Sequence, residues 1–235
     1  MIVKVDFHVH TVYSPDSVIT FQDLRDGCRE KGIDVVAIMD HDVIEGAFEF
    51  AFRSEELLSR GEWAPRVLVG EEVRTTKGEI CGLFLSEWVP DNLPPRETMD
   101  LIKGQGGLVY VPHPFDLLKL KRLKASELVE LSGLIDIVEE FNGKPRLPLA
   151  NVLARRFLGR HPFTRAAGSD AHEPTHLGAA FVEMEDFSGP ADLMEKLAGG
   201  SISGKIYSPF ASAYTLFRIR RKRKAGDRMG DRMER

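Results

Sequence analysis

Short apolar runs alternate with stretches of helical period along most of the chain. Ile2–Val9 reads as a strand, and Ile33–Met39 (IDVVAIM) is a continuous apolar run, as in a strand buried on both faces of a parallel sheet. Between them Thr20 is a natural N-cap, and the helix it opens runs to about Lys31, where Gly32 stops it. The same reading gives a helix over about 45–59, then strands over 66–73 and 79–85 with a turn at Lys77-Gly78. A helix over about 95–103 leads to a strand over 108–112. Strands at 134–141, 164–168 and 179–184 follow, interleaved with helices near 126–131, 149–158 and 190–197, and a last helix covers about 208–224. This βαβα rhythm predicts an α/β fold with a mainly parallel sheet, and the number of strands favours a barrel over an open sheet.

Composition narrows the class. With 43% hydrophobic and 29% charged residues among 235, the chain is neither disordered, collagen-like nor a coiled coil. No apolar run approaches the roughly 18 residues of a membrane span, so no membrane partner is expected. The opening MIVKVDFHVH lacks a basic stretch followed by an apolar one, and two cysteines, Cys28 and Cys81, cannot build a disulfide framework. Both features lead us to expect reduced thiols and a cytoplasmic location. The net charge of −4 hides an asymmetry: residues 218–235 carry +6, which leaves −10 on the first 217. A negative body argues against a nucleic-acid grip spread over the surface. The expected organisation is therefore a barrel over 1–205 and a basic helix with a frayed tail over 206–235. Phe210, Tyr214 and Phe217, spaced i, i+4, i+7, would pack that helix on the barrel.

The seven histidines are placed informatively. His8 and His10 stand two apart on the first strand, so both imidazoles can reach one metal ion. His41, within Met39-Asp40-His41-Asp42, follows the buried run IDVVAIM; Glu71-Glu72 lie in VLVGEEV; His113 ends LVYVP; Asp170-Ala171-His172 follows TRAAG. In a parallel barrel these strand ends share one face, where such folds keep their sites. His, Asp and Glu donors suit Zn, Mn or Fe.

These motifs carry a family resemblance. DFHVHTVYSPDS, MDHD, GEE, VPHP and GSDAH occur in the order seen in the PHP (polymerase and histidinol phosphatase) family, and from about residue 2 to 205 the chain resembles its small stand-alone phosphoesterases. The resemblance implies a distorted (β/α)7 TIM-like barrel with two or three divalent metal ions. It assigns His8, His10, Glu72 and Asp170 to a first metal and Asp16, His41 and His172 to a second. Glu72 would bridge to a third metal, with His113 as a further ligand. The catalytic set it implies is His8, His10, Glu72, Asp170 and His172. Glu72 is chosen over Glu71 because the family pattern is G-x-E; Glu71 is then a solvated or supporting carboxylate. Residues 73–112 contain no histidine, and Cys81 stands where relatives often have one, so a third metal would have two protein ligands.

The activity this implies is hydrolysis of a small phosphorylated substrate, a nucleotide, a short oligonucleotide or another phosphomonoester, by metal-bound hydroxide. A divalent ion makes this possible by lowering the pKa of its water to ~7. Cationic or hydrogen-bonding groups for the phosphate would be Arg74, Asn142, Lys144, Arg146 and His176. The alternatives are a non-catalytic metal-stabilised binding module and an amidohydrolase-type C–N hydrolase. The second often uses a carboxylated lysine on a strand, and none ends a strand between His41 and His113.

Overall fold

Strand β1 (Ile2–Val9) organises the fold, and its two edges are used differently along its length. One edge pairs in parallel with β2 (Val35–Ile38), which pairs in parallel with β3 (Arg66–Arg74). The computed structural model describes residues 1–119, 122–145 and 149–207 and the single positions 217, 219 and 221. The sheet continues from β3 through β4 (Glu79–Leu83), β5 (Leu108–Val111), β6 (Ile137–Asn142) and β7 (Thr164–Gly168). Of these β4 alone runs against the others, because a tight turn joins it to β3 where a crossover helix would have kept it parallel. On its other edge β1 pairs antiparallel with β8 (Ala180–Glu185), which carries β9 (Ser201–Gly204).

That second edge also closes the barrel. β8 covers only residues 2–5 of β1. Beyond it the segment leaving β7 lies against the exposed end of β1: Asp170 N donates to the His8 carbonyl at 2.7 Å and His10 N to the Ala171 carbonyl at 3.0 Å. Gly168 permits the approach, since a Cβ there would fall 2.2 Å from the Cβ of His8. The result is a nearly closed, barrel-shaped α/β sheet, as expected, but among the described residues it has nine strands and four antiparallel pairings of eight, where a mainly parallel sheet was predicted. The four-residue β9 (SISG) is too short and polar to register as a strand.

The helices cover the outside. Helix α1 (Phe21–Lys31) opens with a capping box, Thr20 and Asp23 each bonding the other's backbone N–H, and stops at Gly32 with φ 65°. The cap contributes about 1 kcal/mol. Helices α2 (Glu45–Ser59), α3 (Pro95–Gly104), α4 (Ala125–Glu130), α5 (Leu149–Leu158) and α6 (Pro190–Leu197) follow. Alternate strand residues point inward: Val5, Phe7, Ala37, Leu68, Tyr110 and Ile137 share one interior cluster, while Val36, Ile38, Val109 and Val138 pack outward beneath helices. None of the described helices is long and apolar enough to cross a membrane. The predicted last helix lies, from residue 208 onward, outside the described residues apart from those three positions.

Candidate metal centre

A β-bulge in β1 sets the direction of the first two histidines. Between Asp6 and Val9 the register against β2 slips by one residue. Up to Phe7 the odd-numbered residues fill the barrel, but Val9 packs outward with α1, so the even-numbered His8 and His10 turn in at the mouth. β6 carries a second bulge between Glu139 and Phe141. On β3, with no bulge, simple alternation sends Leu68 and Glu72 inward and Val69, Glu71 and Val73 outward.

Glu72 is the hub. Its Oε2 lies 3.6 Å from His8 Nε2, 3.4 Å from His10 Nε2 and 3.1 Å from His41 Nδ1, and its Oε1 lies 2.9 Å from His113 Nε2. Asp170 Oδ1 meets His10 Nε2 at 3.4 Å and His8 Nε2 at 3.9 Å. Asp16 faces His172 at 3.2 Å and His41 at 3.8 Å. The structure thus brings together all eight residues that the resemblance nominated as ligands. His8, His10 and Glu72, and separately His10, His41 and His172, offer donor atoms within 4.8 Å of one another. His113 and Asp170 hold positive φ, 32° and 53°, a backbone region that non-glycine residues rarely adopt.

Two observations fit this donor set to a cation. Glu72 Oε2 is buried without a hydrogen-bond partner, although three imidazole nitrogens surround it. His8 Nε2 and His10 Nε2 stand 3.0 Å apart, so at least one presents a lone pair to the shared space. A divalent ion there satisfies both, and the mix of imidazole and carboxylate suits Zn, Mn or Fe.

Electrostatics acts unevenly on the donors. Burial alone would raise the Glu72 carboxyl, but the Lys119 ammonium and His41 outweigh it and hold it well below the usual carboxylate range. Asp170 is likewise buried, yet Lys144 and His8 keep it ionised. Burial lowers His10, and the neighbouring His172 and His41 lower it further, so its imidazole stays neutral. Burial also lowers His41, but Glu72 overrides this and pushes it up to about 9.

Some supporting residues escape a motif reading. Glu139 Oε1 meets His8 Nδ1 at 3.2 Å and accepts from the Tyr110 hydroxyl at 2.7 Å, while its Oε2 accepts from His113 N at 2.7 Å. It orients His8 from behind. Asp40 accepts from Thr11 N and from the hydroxyls of Thr11 and Ser14, and Ser14 Oγ lies 3.2 Å from His10 Nδ1. Glu79 and Lys119 stand beside His113. A carboxylate inside the apolar run IDIVEEF was the available signal for Glu139, and Asp40 stands inside the MDHD run beside His41; Glu79 and Lys119 carry no signal.

The nominated phosphate contacts divide. Lys144 Nζ reaches the mouth, 2.8 Å from His172 Nδ1 and 3.8 Å from Asp170 Oδ1. Asn142 donates to Glu139 at 2.9 Å and to Asp170 at 3.4 Å, and its side-chain Oδ1 accepts from Lys144 N. Arg74 instead pairs with Asp91 at 2.5 Å and Asp42 at 3.4 Å. His176 stacks on Tyr207, with ring centroids 3.7 Å apart. Arg146 lies outside the described residues. Glu71 is not solvated: it is fully buried on the outer face of β3, where it accepts from Val89 N at 3.0 Å. Cys81, opposite Glu72 in the register, is buried in the interior cluster, where burial keeps its thiol protonated.

Comparison with known proteins bears on the family and the fold. The family model for the PHP domain matches residues 6–172, and that for a PHP-associated segment matches residues 148–202. The uncharacterized protein MJ0417 of Methanocaldococcus jannaschii is 34% identical over 198 residues, 82% of this chain and 76% of its own length. Among solved structures, a two-domain protein from Bacteroides vulgatus containing a predicted PHP-like metal-dependent phosphoesterase superposes with TM-score 0.66 at 20% identity. The match covers 87% of this chain and 65% of the other, so this chain spans slightly less than two thirds of that protein. PsfC from Pseudomonas syringae superposes with TM-score 0.64 at 17% identity, covering 95% of this chain and 98% of the other. At those identities the solved structures speak for the fold alone.

Proposed function

The chain belongs to the PHP domain family, and from that premise we propose that it is a metal-dependent phosphoesterase acting on a small phosphorylated substrate at the barrel mouth. The observation that carries this reading is the convergence of five imidazoles and three carboxylates on one mouth, with Lys144 among them. His8, His10, Glu72 and Asp170 would hold one ion, and Asp16, His41 and His172 a second.

Ions held there supply an activated water and offset charge on phosphoryl oxygens. The chain's own residues do the rest. Glu139 fixes the ring of His8, and Ser14, itself held by Asp40, fixes the ring of His10. Lys144 brings a cation to the same mouth and is suited to receive a phosphate oxygen. Asn142 donates to Glu139 and Asp170 and accepts from the Lys144 backbone N–H, so the backbone that carries the lysine is tied to the carboxylates. The acidic body favours a small substrate, a nucleotide, phosphomonoester or short oligonucleotide, over a long polyanion.

The test is a panel of phosphate monoesters and diesters given to the Mn²⁺-loaded chain, with amide substrates alongside. Hydrolysis of at least one phosphate ester, lost on chelation, is expected. Turnover of amides alone would overturn the reading.

A further inference from the structure

Lys119 stands where the third ion of the family arrangement would need its donors. Its Nζ lies 2.7 Å from His113 Nε2, 2.9 Å from Glu79 Oε2 and 3.7 Å from Glu72 Oε1. The first and last of these residues are those to which the resemblance assigned a third metal, and Glu79 adds a second carboxylate to them. The placement follows from local structure. After His113 the chain makes two successive turns, Asp116 N donating to the His113 carbonyl at 3.1 Å and Lys119 N to the Asp116 carbonyl at 2.9 Å. Six residues on, the side chain folds back over the imidazole and is largely buried there.

On His113 Nε2 the ammonium and a metal ion are mutually exclusive. An ion bonded to His113 Nε2 sits about 2.0–2.1 Å from that nitrogen. The ammonium, 2.7 Å from the same atom and close to both carboxylates, occupies that volume and repels a second cation at short range. One positive charge set against Glu72 and Glu79 offsets part of their negative charge, in a way that does not depend on metal supply. The remaining ligands keep their donor faces: Lys144 meets Asp170 Oδ1 at 3.8 Å and His172 on Nδ1 at 2.8 Å, which leaves free of it the His172 Nε2 that faces Asp16.

We propose that Lys119 is a built-in cation that fills the third position of the cluster, so that the chain takes two divalent ions and completes the site with its own ammonium. The inference rests on the metal-centre reading and makes a separate, countable claim.

The test counts ions per chain after saturation with Mn²⁺ and removal of excess, by elemental analysis, in wild type, Lys119→Ala and Lys119→Arg. Wild type and Lys119→Arg should each hold two ions. Lys119→Ala should rise from two to three, and Lys119→Ala combined with His113→Ala should return to two. Anomalous scattering from wild-type crystals should show two peaks, which keeps the claim testable should Lys119→Ala fold poorly. Three ions in wild type, or an unchanged two in folded Lys119→Ala, would overturn the role of Lys119 and leave the metal centre standing. No ion in any form would overturn both.

Discussion

The wall formed by β1, β2 and β3 brings His8, His10, His41 and Glu72 to the mouth, and among the described residues these strands bring neither lysine nor arginine to it. The wall formed by β5, β6 and β7 and the loops after them brings His113, Asp170 and His172 together with Lys119 and Lys144. The first wall sets imidazole nitrogens around an unpartnered carboxylate oxygen, suited to cations. The second interleaves donors with ammonium groups, suited to an anion held against those cations. A substrate phosphate bound between them would meet metal on one side and lysine on the other. That difference sets how strongly substitutions on each side should act.

The largest effect is expected at Glu72, which joins the two walls. Glu72→Gln should lower bound metal and cut activity by more than about 100-fold, beyond the range usual for supporting residues. Elemental analysis and hydrolysis of p-nitrophenyl phosphate check it, with circular dichroism to show that the fold persists. If Glu71→Gln lowers metal content more than Glu72→Gln does, the two faces of β3 have been assigned the wrong way round.

Next comes Glu139, which acts through His8. Glu139→Gln should weaken metal binding by about 10–100-fold in competition with a chelating indicator, while much of kcat returns at saturating metal. Unchanged affinity would remove Glu139 from the support of the centre.

On the cationic wall the effect should be smaller and of another kind. Lys144→Met should raise KM about 10-fold with kcat little changed, the loss of one charge-assisted hydrogen bond to phosphate. A fall in kcat with unaltered KM would show that Lys144 serves Asp170 and His172 and not the substrate.

The smallest effect on activity is expected at Glu71, whose influence is on stability. Burial pushes its carboxyl up to about 8, against the opposing bond from Val89 N. Folding therefore takes up a proton: the stabilisation is complete below about pH 4.5 and is lost as pH rises through about 8. In the chelated protein, stability should fall between pH 6 and pH 9 by about 2 kcal/mol more in wild type than in Glu71→Gln. Urea denaturation at the two pH values measures this. Parallel curves would mean that Glu71 is ionised in the fold.

The contrast within β3 also marks what a sequence can disclose. Glu71 and Glu72 differ only in parity, and an unbroken strand turns parity into side, so the G-x-E pattern and the alternation agree on Glu72. β1 is different. Uniform alternation would place His8 and His10 on the face opposite Phe7, and the bulge that turns them inward leaves no mark in the residue types. The strand ends were legible because apolar runs stop abruptly at His or Asp. The reversal of β4 was not, because both directions give the same run. Lys119 was silent for a further reason: its role comes from two turns after His113 that bring it back over the ring, and nothing in VPHPFDLLK distinguishes it from a surface lysine.

The most direct test of the account titrates Mn²⁺ into chelator-treated protein, counting bound ions and p-nitrophenyl phosphate hydrolysis in the same samples. The account predicts no hydrolysis without bound metal, activity that rises with occupancy, and neither binding nor activity in His8→Ala. Full activity in metal-free protein, or a fully loaded wild type inert toward every phosphate ester, would contradict it.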